Sequence, residues 1–397
     1  MAAHDTDEVR RDIGSPDCRL TRRQLIKLGI GCTLAGGLAS WISSCGGPSG
    51  AATARRATAS RGPARARYWE RLGGNVVQCR LCPRECRVPA GSRGYCEVRQ
   101  NRKGEYVSLV YGQAATINVD PIEKKPFFHV LPGSPIFSFA TVGCNIECNN
   151  CQNWQLSQAR PEQVKATALP PKDLVEAARK QGCSLIAGTY TEPVVFAEYL
   201  LDVAREGNRR GLRTTMVSNG YINRQPMLDL CRELAAVKID LKSVREEFYR
   251  TNCHGTLRPV LDTIALARKH ARWLEIVYLV VPTLNDGEQE IRDLARWVCT
   301  HVGQDTPLHF SRFQPQYKLK HLPPTPYRTL ERCYQIARAE GLRYVYVGNL
   351  PGHPAESTVC PQCKKTVIRR QMFLVKENHL KNGRCSFCGY AIPGVWS

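Results

Sequence analysis

Between residues 136 and 347, short apolar runs alternate with segments of helical periodicity, and this alternation constrains the fold more than any other feature of the chain. The runs cover 136–141, 184–188, 213–218, 237–241, 274–281, 308–313 and 343–347. Helical patterns between them cover 172–181, 194–209, 226–234, 259–270, 287–301 and 329–340. Strand and helix in strict alternation make βα units, whose strands pair in parallel because each helix returns the chain to the same end of the sheet. Six or seven such units curl into a full or partial barrel with functional side chains at the carboxyl ends of the strands. The expectation is an α/β fold, a partial (β/α)6-type TIM barrel over residues 133–352. Two cysteine-bearing modules flank it: residues 67–132, expected to be small and strand-poor, and residues 353–397, where two C-x-x-C pairs break the rhythm.

The 397 residues are 43% hydrophobic and 23% charged, which excludes a disordered, collagen-like or multi-span membrane chain. Lysine and arginine outnumber aspartate and glutamate by 56 to 35, and the net charge of +21 raises nucleic acid or an anionic membrane surface as partners without choosing either. Near the N-terminus Thr21, Arg22, Arg23, Gln24, Leu25, Ile26 and Lys27 precede an apolar, glycine-rich run over 28–42 that is short for a membrane span. This segment resembles a twin-arginine export signal, and Ile42, Ser43, Ser44 and Cys45 resemble a bacterial lipoprotein cleavage box with Cys45 as the lipidated residue. The resemblance implies export or membrane tethering, with retention at the cytoplasmic face and a chance basic and apolar leader as the alternatives. Residues 46–65, rich in Gly, Ala, Ser, Thr and Arg, read as a flexible linker, so residues 1–66 are set apart as leader and linker.

The 19 cysteines are bunched at short spacings, a pattern of metal sites rather than of the disulfide frameworks of short secreted domains. Cys183, Cys231, Cys253, Cys299 and Cys333 stand alone among apolar or helical neighbours and read as buried filler. Directly after the first barrel strand come Gly143, then Cys144-x3-Cys148-x2-Cys151, then Gln152, Asn153 and Trp154. Three thiolates on one short loop close a tetrahedral zinc site only if a fourth ligand comes from elsewhere. They are, however, enough to hold three irons of a four-iron (4Fe-4S) cluster and leave the fourth iron open.

This spacing, at this place in a βα barrel, resembles the signature of the radical S-adenosylmethionine superfamily. The resemblance implies a 4Fe-4S cluster on Cys144, Cys148 and Cys151. Its open iron would chelate the amino and carboxylate groups of S-adenosylmethionine and pass one electron to the sulfonium, giving methionine and a 5'-deoxyadenosyl radical. Thr189, Tyr190, Thr191, Glu192 and Pro193 after the second strand, Ser218, Asn219, Gly220 and Tyr221 after the third, and Asp240, Leu241 and Lys242 after the fourth are similar to the relatives of pyruvate formate-lyase activating enzyme. Further features are the Cys79 to Cys96 module, the stretch from His309 through Phe313, Pro315, Tyr317 and Lys318, and the run Tyr346, Val347, Gly348, Asn349. With these, the chain resembles the radical enzyme of the AmmeMemoRadiSam system over nearly all of 78–396. The implied reaction is hydrogen abstraction from a protein residue, as in glycyl-radical activases, or from a small molecule. The implied partners are a protein substrate, companions of the AMMECR and Memo families, and a reductant such as flavodoxin or ferredoxin.

Glu192 lies where superfamily members commonly present a group to the methionine ammonium, although the familiar Gly-Gly-Glu triplet is reduced to this one residue. Ser218 and Asn219 offer a hydroxyl and an amide suited to ribose hydroxyls or a carboxylate, and Asn-Gly is equally a turn. Asp240 and Lys242 alternate along a strand, so both point into the barrel, where they compensate each other's charge near the cofactor. His309 and Arg312 are placed to approach the adenosyl moiety, a buried and satisfied histidine being the alternative. Trp154 flanks the cluster or belongs to the core.

Cys79-x2-Cys82-x3-Cys86-x9-Cys96 supplies four thiolates, enough for a structural zinc or a second 4Fe-4S cluster, with a disulfide as a further alternative outside the cytoplasm. Cys360-x2-Cys363 and Cys385-x2-Cys388 form a zinc-ribbon pattern, in which the metal stands in for a core too small to fold alone. Such a ribbon is structural or docks protein; Lys364, Lys365, Arg369 and Arg370 keep nucleic acid open as a minor partner. The competing class is a non-catalytic metal-binding adaptor whose zinc modules dock nucleic acid or protein while the barrel is only a scaffold. It predicts strongly salt-dependent nucleic-acid binding and no iron.

Overall fold

The computed structural model describes residues 63–397. The twin-arginine-like segment with Arg22 and Arg23, Cys45 and the linker lie outside the described residues.

The alternation in the sequence is realised as one eight-stranded sheet. Its strands are β1 (Thr116–Pro121), β2 (Pro135–Ala140), β3 (Leu185–Gly188), β4 (Arg213–Ser218), β5 (Ala236–Asp240), β6 (Leu274–Val280), β7 (Leu308–Arg312) and β8 (Val345–Gly348), adjacent in chain order. From β2 to β8 every neighbour is parallel, whereas β1 runs antiparallel to β2 with Thr116 opposite Ala140. Among the described residues β1 pairs only with β2 and β8 only with β7, so the sheet is an open arc, a partial barrel. The helices of ten residues or more among the described residues are α1 (Pro171–Lys180), α2 (Ala197–Arg209), α3 (Arg224–Glu233), α4 (Arg258–His270), α5 (Glu288–His301) and α6 (Tyr327–Ala339). No helix among the described residues is long and apolar enough to cross a membrane.

The local sequence explains the elements. In α1, Pro171 opens the first turn, Asp173 follows it and Arg179 and Lys180 close the last, each placed to suit the helix dipole. Leu174, Val175 and Ala178 form its buried stripe. Leu185, Ile186 and Ala187 of β3 are all fully buried, as expected where helices cover one face of a parallel sheet and barrel side chains the other. Each large apolar side chain so enclosed contributes about 1.5–3 kcal/mol.

The N-terminal module is not strand-poor. Trp69–Arg71, Val77–Cys79 and Arg87–Val88 form one small antiparallel sheet, and Ala64–Arg65, Arg99–Arg102 and Glu105–Ser108 form another. These strands escape a pattern count because each is two to four residues long. Within Glu105–Ser108 only Tyr106 and Ser108 face the core. The segment 67–132 also lends β1 to the central sheet. In the C-terminal module Thr358–Val359, Thr366–Gln371 and Leu374–Asn378 make an antiparallel meander.

Candidate functional site

The carboxyl ends of the parallel strands open on a cavity of about 450 Å³, within the range of small-molecule sites. Cys144, Cys148 and Cys151 line it from the loop after β2. Gly143 enters that loop at φ +96°, and an added Cβ would lie 2.6 Å from Val98 Cγ1 and 3.0 Å from the Cys96 carbonyl oxygen, so only glycine lets the loop lie against the N-terminal module. The loop is then fixed from the other side by a short π-helix, Tyr249–Cys253, an irregularity frequent at functional sites. The Glu147 and Asn149 N–H groups donate to the carbonyls of Cys253 and Asn252 at 3.0 and 2.8 Å, and Asn252 Nδ2 donates to Asn150 Oδ1 at 2.9 Å. Arg84 Nε donates to the Asn145 carbonyl at 3.0 Å.

Each thiol of the loop has a polar neighbour. Asn219 Nδ2 lies 3.7 Å from Cys144 Sγ, and Ser157 Oγ lies 3.2 Å from Cys151 Sγ. Cys253 lies beside Cys148, and its side chain and then burial push the Cys148 thiol well above the ordinary value. Burial, followed by the charge of Glu192, does the same to Cys144. Thiols this reluctant to ionise become thiolates when metal binds.

The geometry fits a 4Fe-4S cluster better than a single ion. Four thiolates around zinc stand about 3.8 Å apart, given Zn–S bonds of about 2.3 Å. Cys360, Cys363, Cys385 and Cys388 meet that spacing, with Cys360 to Cys388 at 3.6 Å and Cys363 to Cys385 at 3.7 Å. Among the described residues they are the only set of three or more cysteine, histidine or acidic side chains whose ligand atoms all fall within 4.8 Å of one another. The three thiols of the loop do not form such a set, so at least two of their sulfurs stand more than 4.8 Å apart, as thiolates on separate irons do.

Of the residues expected to contact a cofactor, Glu192, Ser218, Asn219, Asp240, Lys242 and His309 all line the same cavity. Glu192 caps a 3-10 turn at Val194 N (3.0 Å) and also accepts from Ser218 Oγ (2.6 Å) and Asn219 N (2.8 Å). Burial raises its pKa to about 7 against the pull of those donors. Three of its roughly four acceptor positions are thus filled from within, leaving about one, on Oε2, for a ligand. Asn219 Oδ1 accepts from Tyr221 N at 2.8 Å, the Asn-Gly turn, while its Nδ2 serves Asn145 and Cys144. Lys242 Nζ and Lys238 Nζ flank Asp240 at 3.0 and 3.4 Å, and Asp240 Oδ1 is buried without a hydrogen-bond partner. His309 Nε2 meets Glu275 at 2.6 Å, and its ring stacks on Tyr346, so it is buried and satisfied at the cavity wall. Arg312 donates instead to the Thr325 carbonyl at 2.9 Å, and Trp154 stacks on Tyr317.

Sequence reasoning missed several residues. Cys253, read as filler, touches a loop cysteine; no spacing signals a partner more than a hundred positions away. Lys238 was legible, because it precedes Asp240 and Lys242 with the same period of two. Lys125 lines the cavity too, buried and paired with Asp120 at 2.6 Å, its pKa lowered to about 8 by burial. Met372 and Phe373, from the turn of the C-terminal meander, line the cavity as well.

The family model "Radical SAM superfamily" matches residues 139–298. Over 332 residues the chain is 41% identical to "Uncharacterized protein MJ0808" of Methanocaldococcus jannaschii, covering 83% of this chain and 99% of that protein. It is 28% identical over 127 residues to isethionate sulfite-lyase activating enzyme of Oleidesulfovibrio alaskensis, 32% of this chain and 40% of the other. Among solved structures, a domain of pyruvate-formate lyase-activating enzyme from Bacteroides vulgatus matches 42% of this chain and 98% of its own at 18% identity and a TM-score of 0.36.

Proposed function

Since the chain belongs to the radical S-adenosylmethionine superfamily, in one family with the Methanocaldococcus jannaschii protein, we propose that it is an enzyme that cleaves S-adenosylmethionine reductively and uses the product radical to abstract a hydrogen atom. The observation that carries this reading is the placement of Cys144, Cys148 and Cys151, at a spacing wider than zinc requires, on the wall of the cavity at the strand ends. A bound 4Fe-4S cluster would supply one electron to the sulfonium and so a 5'-deoxyadenosyl radical.

The protein's own groups have separable tasks. Asn219 and Ser157 direct N–H and O–H dipoles at Cys144 and Cys151, which stabilises thiolate character and tunes the potential of whatever they ligate. Glu192 Oε2 keeps an acceptor position for an ammonium or hydroxyl group, and Asp240 Oδ1, which meets only the Lys238 ammonium at 3.4 Å, is the second acceptor within reach of a ligand. Lys238 and Lys242 keep Asp240 ionised, although burial alone would raise its pKa. The target is a glycine α-carbon on a partner protein or a small molecule, with AMMECR and Memo family proteins as companions and flavodoxin or ferredoxin as donor.

Anaerobic reconstitution with iron and sulfide, reduction by dithionite and addition of S-adenosylmethionine test this, with 5'-deoxyadenosine read by chromatography. The parent is expected to form it, and the variant with Cys144, Cys148 and Cys151 all changed to Ala is expected to form none. Equal rates in the two would refute the assignment.

A further inference from the structure

The four cysteines that precede the barrel play no part in the reaction above, yet the structure gathers them. Cys79 ends the strand Val77–Cys79, and its N–H donates to the Cys86 carbonyl at 2.9 Å, so the two face each other with Cys82 on the turn between. The Tyr95 N–H reaches Cys86 Sγ at 3.4 Å, bringing Cys96 to the same place. Cys82 is in electrostatic range of Cys79 and Cys96, and Cys96 of Cys79 and Cys86. All four are free thiols.

Spacing distinguishes the metals that such a group can hold. The C-terminal cysteines, at 3.6 and 3.7 Å, show how this chain arranges four sulfurs for one tetrahedral ion. No three of Cys79, Cys82, Cys86 and Cys96 fall within 4.8 Å of one another, and in this they resemble the Cys144 loop. An iron-sulfur cube presents one iron to each thiolate and so holds the sulfurs farther apart. The surroundings suit sulfur as well. Tyr106 Oη is buried without a hydrogen-bond partner. It faces the group, since an added Cβ on Gly94 would lie 2.7 Å from that oxygen and 3.8 Å from Cys86 Sγ. Arg99, fully buried and paired with Glu198, brings positive charge into range of Cys79 and Cys96.

We propose that Cys79, Cys82, Cys86 and Cys96 ligate a second 4Fe-4S cluster, coordinated by thiolate at every iron, with the Tyr106 hydroxyl donating to one of its sulfurs. The site abuts the first, because the Cys96 carbonyl contacts Gly143, the neighbour of Cys144.

The test counts iron, acid-labile sulfide and zinc in the full chain after anaerobic reconstitution. Two clusters and the ribbon give about eight irons, about eight sulfides and about one zinc per chain. The variant with Cys144, Cys148 and Cys151 changed to Ala is expected to keep about four irons and a paramagnetic signal after reduction. Adding Cys79→Ala and Cys96→Ala should remove both and leave the zinc. Tyr106→Phe should keep the iron and lower the reduction potential of the remaining cluster. About four irons with two zincs in the parent would assign the module to zinc, and about four irons with one zinc would leave it empty; either result overturns the proposal. Retained ribbon zinc reports that the triple variant has folded; if it has not, the parent count decides alone. These counts are independent of S-adenosylmethionine, so about eight irons without 5'-deoxyadenosine would sink the proposed reaction and not this site.

Discussion

Arg370 is the residue whose loss should most clearly detach the C-terminal module from the barrel. Its guanidinium is fully buried, lies 3.4 Å from Glu123 Oε1, donates to Thr358 Oγ1 and the Phe128 carbonyl, and stacks over the Phe128 ring at 4.2 Å. Glu123 is equally buried, takes one N–H from Gly133, and has no partner at Oε2. Arg370→Met keeps the apolar volume and leaves the carboxylate alone, a change that costs about 3–5 kcal/mol at a buried pair. A ceiling on the charge part can be worked out, because an orphaned Glu123 escapes by taking a proton. Its ordinary pKa is 4.5, so protonation costs about 1.36 kcal/mol for each pH unit above that value, or about 3.4 kcal/mol at pH 7 and about 0.7 at pH 5. The direction follows: a carboxyl whose folded pKa is raised is fully tolerated below its unfolded value and costs stability as pH rises towards the folded one. The two lost hydrogen bonds add about 1–3 kcal/mol that does not depend on pH. The assay is hydrogen exchange of the Thr366–Gln371 amides, compared with the parent at each pH. At pH 7 exchange should quicken roughly 150- to 5,000-fold, and at pH 5 most of the charge part should vanish. Glu123→Gln in the same chain should recover much of the loss at pH 7. A defect under about fivefold, or one equal at the two pH values, would refute the reasoning.

Other consequences are more local. Cys360→Ala should remove the C-terminal zinc and the protection of Leu374–Asn378, read by metal count and hydrogen exchange; a full zinc complement would be inconsistent with the ligand set. Gly143→Ala meets both a positive φ and Val98, so a cost of about 2 kcal/mol or more and poor iron retention on desalting are expected; parental iron retention would count against the contact. His129, its pKa lowered to about 4 by burial, donates from Nδ1 to the Pro393 carbonyl and accepts at Nε2 from Tyr346. A base with a depressed folded pKa loses stability as pH falls from its ordinary 6.5 towards 4, here by up to about 3 kcal/mol. His129→Gln should flatten that part of the denaturation profile, and parallel curves for parent and variant would argue against it. Asn219→Ala should leave the iron count unchanged and shift the reduction potential of the Cys144-loop cluster downward, as loss of a donor to sulfur does; an unchanged potential would show that the 3.7 Å contact is idle.

What could be read from the chain divides along a physical line. Period and spacing are local, and they carried the βα order, the cysteine loop at a strand end, and the pairing of Asp240 with Lys242, although β5 ends at Asp240 and Lys242 lies just beyond it. The short N-terminal strands were lost because two to four residues show no period. The contacts Cys148–Cys253, Glu123–Arg370 and Glu275–His309 were lost for another reason. Each joins elements far apart in sequence, and its sequence signature is one ordinary residue at each end. Even where the type was right, the use of a residue was not visible. Glu192 and Ser218 read as cofactor groups, and the structure shows that much of their hydrogen-bonding capacity holds the strand ends together.

Those long-range contacts also explain why the barrel cannot be considered without its flanking modules. The N-terminal cysteine module meets the Cys144 loop at Gly143, where there is no room for a side chain, and Arg84 ties it to Asn145. The C-terminal module enters the cavity with Met372 and Phe373, and its strand Thr366–Gln371 is pinned to the barrel by Arg370. An open arc of strands leaves its mouth wide, and the radical proposed to form there would need walls that exclude water and competing hydrogen donors. In this chain one module braces the Cys144 loop and the other supplies an apolar part of the wall. Loss of zinc at Cys360 should therefore be felt at the cavity as well as at the ribbon.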